Sequence, residues 1–164
     1  MTRFFIAAAL LGAAAGAQAH ITLEQPSAEA GTYYKAVLRV GHGCEGSPTQ
    51  ALTVTLPPGA LHAHPMPKPG WTLAARTDPA SGAVTQWAWQ GGSLADAHYD
   101  EFVLRVKLPA QPGPLWFRVH QQCAQGANDW AEVPASGTDT RGLKRPAALL
   151  DVRPAAAPAH AHAH

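Results

Sequence analysis

The sequence is poor in charge and in sulfur. Charged residues make up 14% of its 164 positions, and the 12 Lys and Arg nearly cancel the 11 Asp and Glu. So balanced a chain has no basic field with which to recruit DNA, RNA or an anionic lipid surface. Cysteine occurs twice, as Cys44 and Cys123. Neither has a second cysteine at the short spacing of ordinary zinc sites. Beyond residue 19 no apolar run approaches the roughly 20 residues that a membrane helix needs. A sustained helical period is also missing, which argues against a helical bundle or an alternating α/β architecture.

Short strand-like runs fill the chain instead: 21–24, 33–40, 51–56, 71–76, 84–90, 101–108, 115–122 and 130–133. In the sixth, Phe102, Leu104, Val106 and Leu108 would face one side, and Glu101, Val103, Arg105 and Lys107 the other. Between the runs stand "GHGCEGSP", "LPPGA", "PMPKPG", "DPASG", "QGG", "PAQPGP" and "PASG", all rich in turn residues. Many short strands with this punctuation predict an all-β fold, an antiparallel β-sandwich.

Both ends differ from the middle. Arg3, the apolar stretch 4–15 and Ala17-Gln18-Ala19 form the pattern of a cleavable secretory signal, which predicts export to the periplasm. The last stretch, "RPAAAPAHAHAH", has no bulky apolar residue with which to pack a core. The expected division is therefore a signal peptide at 1–19, one β-sandwich domain at 20–152 and a His-rich tail at 153–164. In an exported protein Cys44 and Cys123 are expected to form a disulfide, worth roughly 4 kcal/mol by loop entropy. A copper(I) or zinc thiolate site is the rival reading.

Cleavage after Ala19 would make His20 the first residue. A terminal histidine offers its amine and its imidazole Nδ1 to one ion, closing a single chelate ring. Copper(II) favours tetragonal N/O surroundings and heads the divalent affinity order, so it suits this pair best. The amine must lose its proton to bind, and its ordinary pKa is near 8, so binding should weaken as pH falls. Carboxylates that could join by position are Glu24, Glu29, Asp100 and Glu101. Tryptophan near such an ion would act as an apolar, π-rich cover, since the indole N–H only donates.

The stretches "HITLEQPSAEAGTYYKAVLRVGHGCEGSPT", "PKPGWTL", "WAWQGGSL", "HYDEFVLRVKLP" and "QCAQGANDWAEVP" run in order over nearly all of residues 20–134. In them the chain resembles the YcnI-like family, the DUF1775 domain of exported copper-binding proteins. The resemblance implies a cupredoxin- or immunoglobulin-like sandwich. It also implies a mono-histidine brace of one N-terminal histidine, one glutamate and one tryptophan. On this sequence those roles fall to His20, to Glu101 in "DEF" with Glu24 in reserve, and to Trp130 in "NDW". The implied function is periplasmic copper(II) binding, as storage or as a chaperone in copper homeostasis. The implied partners are the copper ion and a membrane copper transporter or a second periplasmic copper chaperone, and no nucleic acid.

Other histidines carry weaker expectations. His42 reads as a loop residue before a ligand, His62 and His64 as members of a Pro-rich loop, and His98 and His120 as strand-edge residues. His98 neighbours Glu101 and could serve in the outer shell of a metal site. His160, His162 and His164 alternate in the tail and could collect metal there. No catalytic turnover is expected. Two alternatives remain: a copper-dependent oxidative enzyme of polysaccharide-monooxygenase type, which would need a second chain histidine and would make peroxide with ascorbate, and a β-sandwich binding module without metal.

Overall fold

The computed structural model describes residues 20–156. The expected signal segment and the tail histidines His160, His162 and His164 lie outside the described residues. In chain order the strands are β1 (Thr22–Leu23), β2 (Ser27–Glu29), β3 (Tyr33–Val40), β4 (Thr49–Thr55), β5 (Leu61–Pro65), β6 (Thr72–Thr77), β7 (Val84–Leu94), β8 (Asp100–Lys107), β9 (Gly113–Cys123), β10 (Ala127–Trp130) and β11 (Ala148–Arg153). No helix occurs among the described residues.

Four strands form one sheet in the order β1-β3-β8-β5, and the rest form a larger sheet in the order β2-β11-β9-β4-β7-β6. Strand β9 is long enough to serve two partners in succession. Its first half pairs with β11, and its second half pairs with β10 from Gln122↔Ala127 to Val119↔Trp130. That second pairing sets the position of Trp130. All pairings are antiparallel except β11 with β2, so the expected antiparallel sandwich holds with one parallel pair at its edge.

The core lies between the sheets and follows the period of two that strands impose. From β3 it takes Tyr34, Ala36, Leu38 and Val40; from β8 Phe102, Leu104 and Val106; from the larger sheet Leu52, Val54, Trp89, Phe117, Val119 and Leu150. The sequence places Phe102, Leu104, Val106 and Leu108 on one face of β8, and all four are buried. Two indoles tie the sheets together: Trp89 Nε1 donates to the Met66 carbonyl at 3.0 Å and Trp87 Nε1 to the Ala63 carbonyl at 3.0 Å. A buried indole N–H needs such an acceptor, and the acceptors lie in or just beyond β5.

Three strands escape the sequence pattern, β2, β5 and β11, and the run expected at 130–133 is instead β10 at Ala127–Trp130, sharing only Trp130. Strand β5 holds His62 and His64, which read as loop residues because prolines surround them. Proline is tolerated on an edge strand, and β5 is the outer strand of its sheet. "QGG" reads as a break but lies inside β7. Gly92 stands there because a Cβ would come within 2.1 Å of the Trp71 ring, which packs edge-on against Phe102 at 5.0 Å.

Candidate metal centre

His20 enters just before β1 and sits against Trp130, with ring centroids 5.9 Å apart and planes at 67°. Its Nε2 is buried and has no hydrogen-bond partner among the described residues. A buried polar atom without a partner is costly, and Nε2 lies across the ring from Nδ1, the nitrogen with which the terminal amine could chelate. His42 approaches the same indole at 6.4 Å and 70°. Two imidazoles therefore pack against one buried tryptophan, each steeply inclined to its plane.

A hydrogen-bonded chain runs beneath the three rings. Gln121, on β9, is fully buried. Its Oε1 accepts from Trp130 Nε1 at 2.9 Å, and its Nε2 donates to the His42 carbonyl and to Thr49 Oγ1, each at 2.8 Å. Gln121 thus fixes the indole and the His42 backbone from one side chain.

The segment carrying His42 is held in three further ways. Cys44 to Ser47 close a tight turn with mutual backbone hydrogen bonds of 3.0 and 2.9 Å. Glu45 and Gly46 both take positive φ, 51° and 87°, as a type I′ turn requires. Asp96 Oδ1 accepts from the Gly43 N–H at 2.9 Å. Gly43 has no room for a side chain, because a Cβ would lie 1.9 Å from the Ser47 carbonyl oxygen. The expected disulfide is present between Cys44 and Cys123 and ties the turn to β9 across 79 residues of sequence. Within this frame His42 Nδ1 lies 2.6 Å from the Gly43 carbonyl oxygen. A carbonyl only accepts, so Nδ1 carries the hydrogen, and in the neutral ring Nε2 keeps its lone pair.

The other expected residues have partners and surroundings of their own. Glu101 pairs across the sheet with Arg39, and its Oε1 accepts from the Tyr99 hydroxyl at 2.6 Å. Desolvation, then the Glu101 hydrogen bond and charge, push that hydroxyl up to about 12, so it stays a donor. Glu24 is exposed beyond the end of β1. Burial first, and Glu24 second, push the neighbouring Tyr34 hydroxyl up to about 12. His98 is exposed in the turn before β8. His120, in the middle of β9 and not at a strand edge, pairs with Asp129 on the exposed face at 2.5 Å. The structure thus joins His20 to Trp130 and adds His42 and Gln121 to them. Glu101 is held by Tyr99. Among the described residues no group of three or more His, Cys, Asp or Glu side chains is placed to hold a metal ion. One signal in the sequence does point to the added pair. His42 stands two residues before Cys44 and Gln121 two before Cys123, so a bridge between the cysteines brings both to one place.

Residues 20–152 match the family described as a domain of unknown function, DUF1775. The chain belongs to that family. It is similar to an uncharacterized protein from Nocardia farcinica whose crystal structure reveals an immunoglobulin-like fold. The identity is 28%, the TM-score is 0.68, and the match covers 81% of this chain and 97% of the other. The fold is of that immunoglobulin-like class. A family 123 glycoside hydrolase from Clostridium perfringens, 12% identical, matches at a TM-score of 0.34 over 78% of this chain and 22% of its own. That likeness carries no argument. No curated protein matches the sequence.

Proposed function

We propose that this protein binds copper(II) at His20 after export and hands it on, as a periplasmic store or chaperone. The observation that carries the reading is the half-buried His20 ring packed against the buried Trp130 indole, with 5.9 Å between ring centroids. It falls on the residue that cleavage after Ala19 would make N-terminal. Cleavage would create an amine on the same residue, and amine and imidazole together suit copper(II) above the other divalent ions.

Each group has a stated part. The His20 amine and imidazole hold the ion. Trp130 covers it and excludes water from one side, its indole N–H already satisfied by Gln121. The half-buried setting of His20 leaves an open edge, where an acceptor's ligands can replace these in turn. The acceptor is a membrane copper transporter or a second carrier, and the protein itself turns over no substrate. The carboxylate role expected of Glu101 has less support, because one of its oxygens is engaged by Tyr99 and its cross-strand neighbour is Arg39.

The test is a copper(II) titration followed by EPR on protein beginning at His20 and ending after Val152. A one-to-one site lost in His20→Ala supports the reading. An equal affinity in His20→Ala refutes it and favours a binding module without metal.

A further inference from the structure

We infer that His42 is the second imidazole ligand of the ion held by His20, in place of a carboxylate. The inference rests on the copper reading above and deepens it. Three observations converge on His42. Its ring lies 6.4 Å from Trp130 at 70°, against the same indole that His20 meets at 5.9 Å and 67°. Its Nδ1 donates to a backbone carbonyl, which leaves Nε2 bare. Metal-binding histidines almost always show this arrangement, the outer nitrogen donating to a carbonyl or carboxylate and the inner one free for the ion. Its backbone is over-determined by the Gln121 amide, by the Asp96 contact at Gly43 and by the Cys44–Cys123 bridge.

The donor set follows. The amine and imidazole of His20 supply two nitrogens and His42 supplies a third. The scarcity of grouped ligand side chains is consistent with this, since one donor is the main-chain nitrogen freed by cleavage. Gln121 and Asp96 are positioning residues: they touch the frame of His42 and not the ion. His120 shows a similar Nδ1 contact, to Asp129, but its side chain is 44% exposed on the outer face of β9, away from the indole.

The experiment is pulsed EPR of the copper(II) complex of the protein cut at His20 and ended after Val152, which counts bound imidazoles by their remote nitrogens. Wild type should show two imidazoles, His42→Ala one, and His120→Ala and Glu101→Gln two. Copper affinity should fall in His42→Ala by more than the roughly 10–100-fold typical of losing an outer-shell partner. If His42→Ala fails to fold, the wild-type count read together with His120→Ala still decides. A single imidazole, lost in His20→Ala, would overturn the role of His42 and leave the copper reading standing. No bound copper at all would overturn both. Two imidazoles with the second lost in His120→Ala would assign the ligand elsewhere and refute His42.

Discussion

Replacing Gln121 with leucine isolates the hydrogen-bonded chain beneath the site. The side chain is fully buried and serves three partners. Leucine of similar size fills the space but leaves the Trp130 indole N–H and the His42 carbonyl without partners. Each buried orphan costs about 1–3 kcal/mol. Thr49 Oγ1 also loses a donor, while leucine gains a little from burial. The net expectation is a loss of about 2–5 kcal/mol, a large share of the 5–15 kcal/mol typical of a domain. Urea unfolding followed by tryptophan fluorescence measures it, and with a slope of about 2 kcal/mol per molar the midpoint should drop by about 1–2.5 M. In a Trp130→Phe background the indole N–H is already gone, so Gln121→Leu should cost about 1–3 kcal/mol less there. A loss under about 1 kcal/mol in the wild-type background, or equal losses in both, would refute the chain as a structural unit.

Three further expectations follow from named groups. Adding one residue before His20 converts the amine to an amide, so copper affinity measured by competition should collapse; tight binding in the extended protein would remove the amine from the site. Tyr34 keeps its proton to about 12 when folded but to about 10 when unfolded. Its contribution is therefore full below pH 10 and is lost as pH rises to 12, by up to about 3 kcal/mol. Tyr34→Phe should flatten stability over that window while costing about 1 kcal/mol at neutral pH for the bond to the Gln25 carbonyl, and an unchanged alkaline slope would show that another group sets it. Gly92→Ala should displace Trp71 from Phe102 and cost about 1–3 kcal/mol, a change that thermal melting would detect.

The strands with clean alternation were legible in the sequence, and β8 is the clearest because both its neighbours are strands and one face meets the core. The edges were not. Strand β5 is hidden by its prolines, and β11 by its place just before the Pro-rich tail, and each is defined by what it pairs with. The same division runs through the site. His20 stands out because its place after Ala-x-Ala changes its chemistry, and Trp130 because it lies in a recognisable motif. Gln121 looks like any polar strand residue until burial removes water as its alternative partner.

The sequence by itself determined the β-rich class and the histidine that cleavage would expose, since these depend on residue type and local order. Only the tertiary structure decided which groups meet His20. That depends on β9 changing partners from β11 to β10, which sets Trp130 opposite Val119 and within reach of Gln121. It depends also on a disulfide that brings the His42 turn to the same strand. The contact of His20 with Trp130 and the bridge from Cys44 to Cys123 span 110 and 79 positions of the chain, a range over which local pattern carries no information about distance.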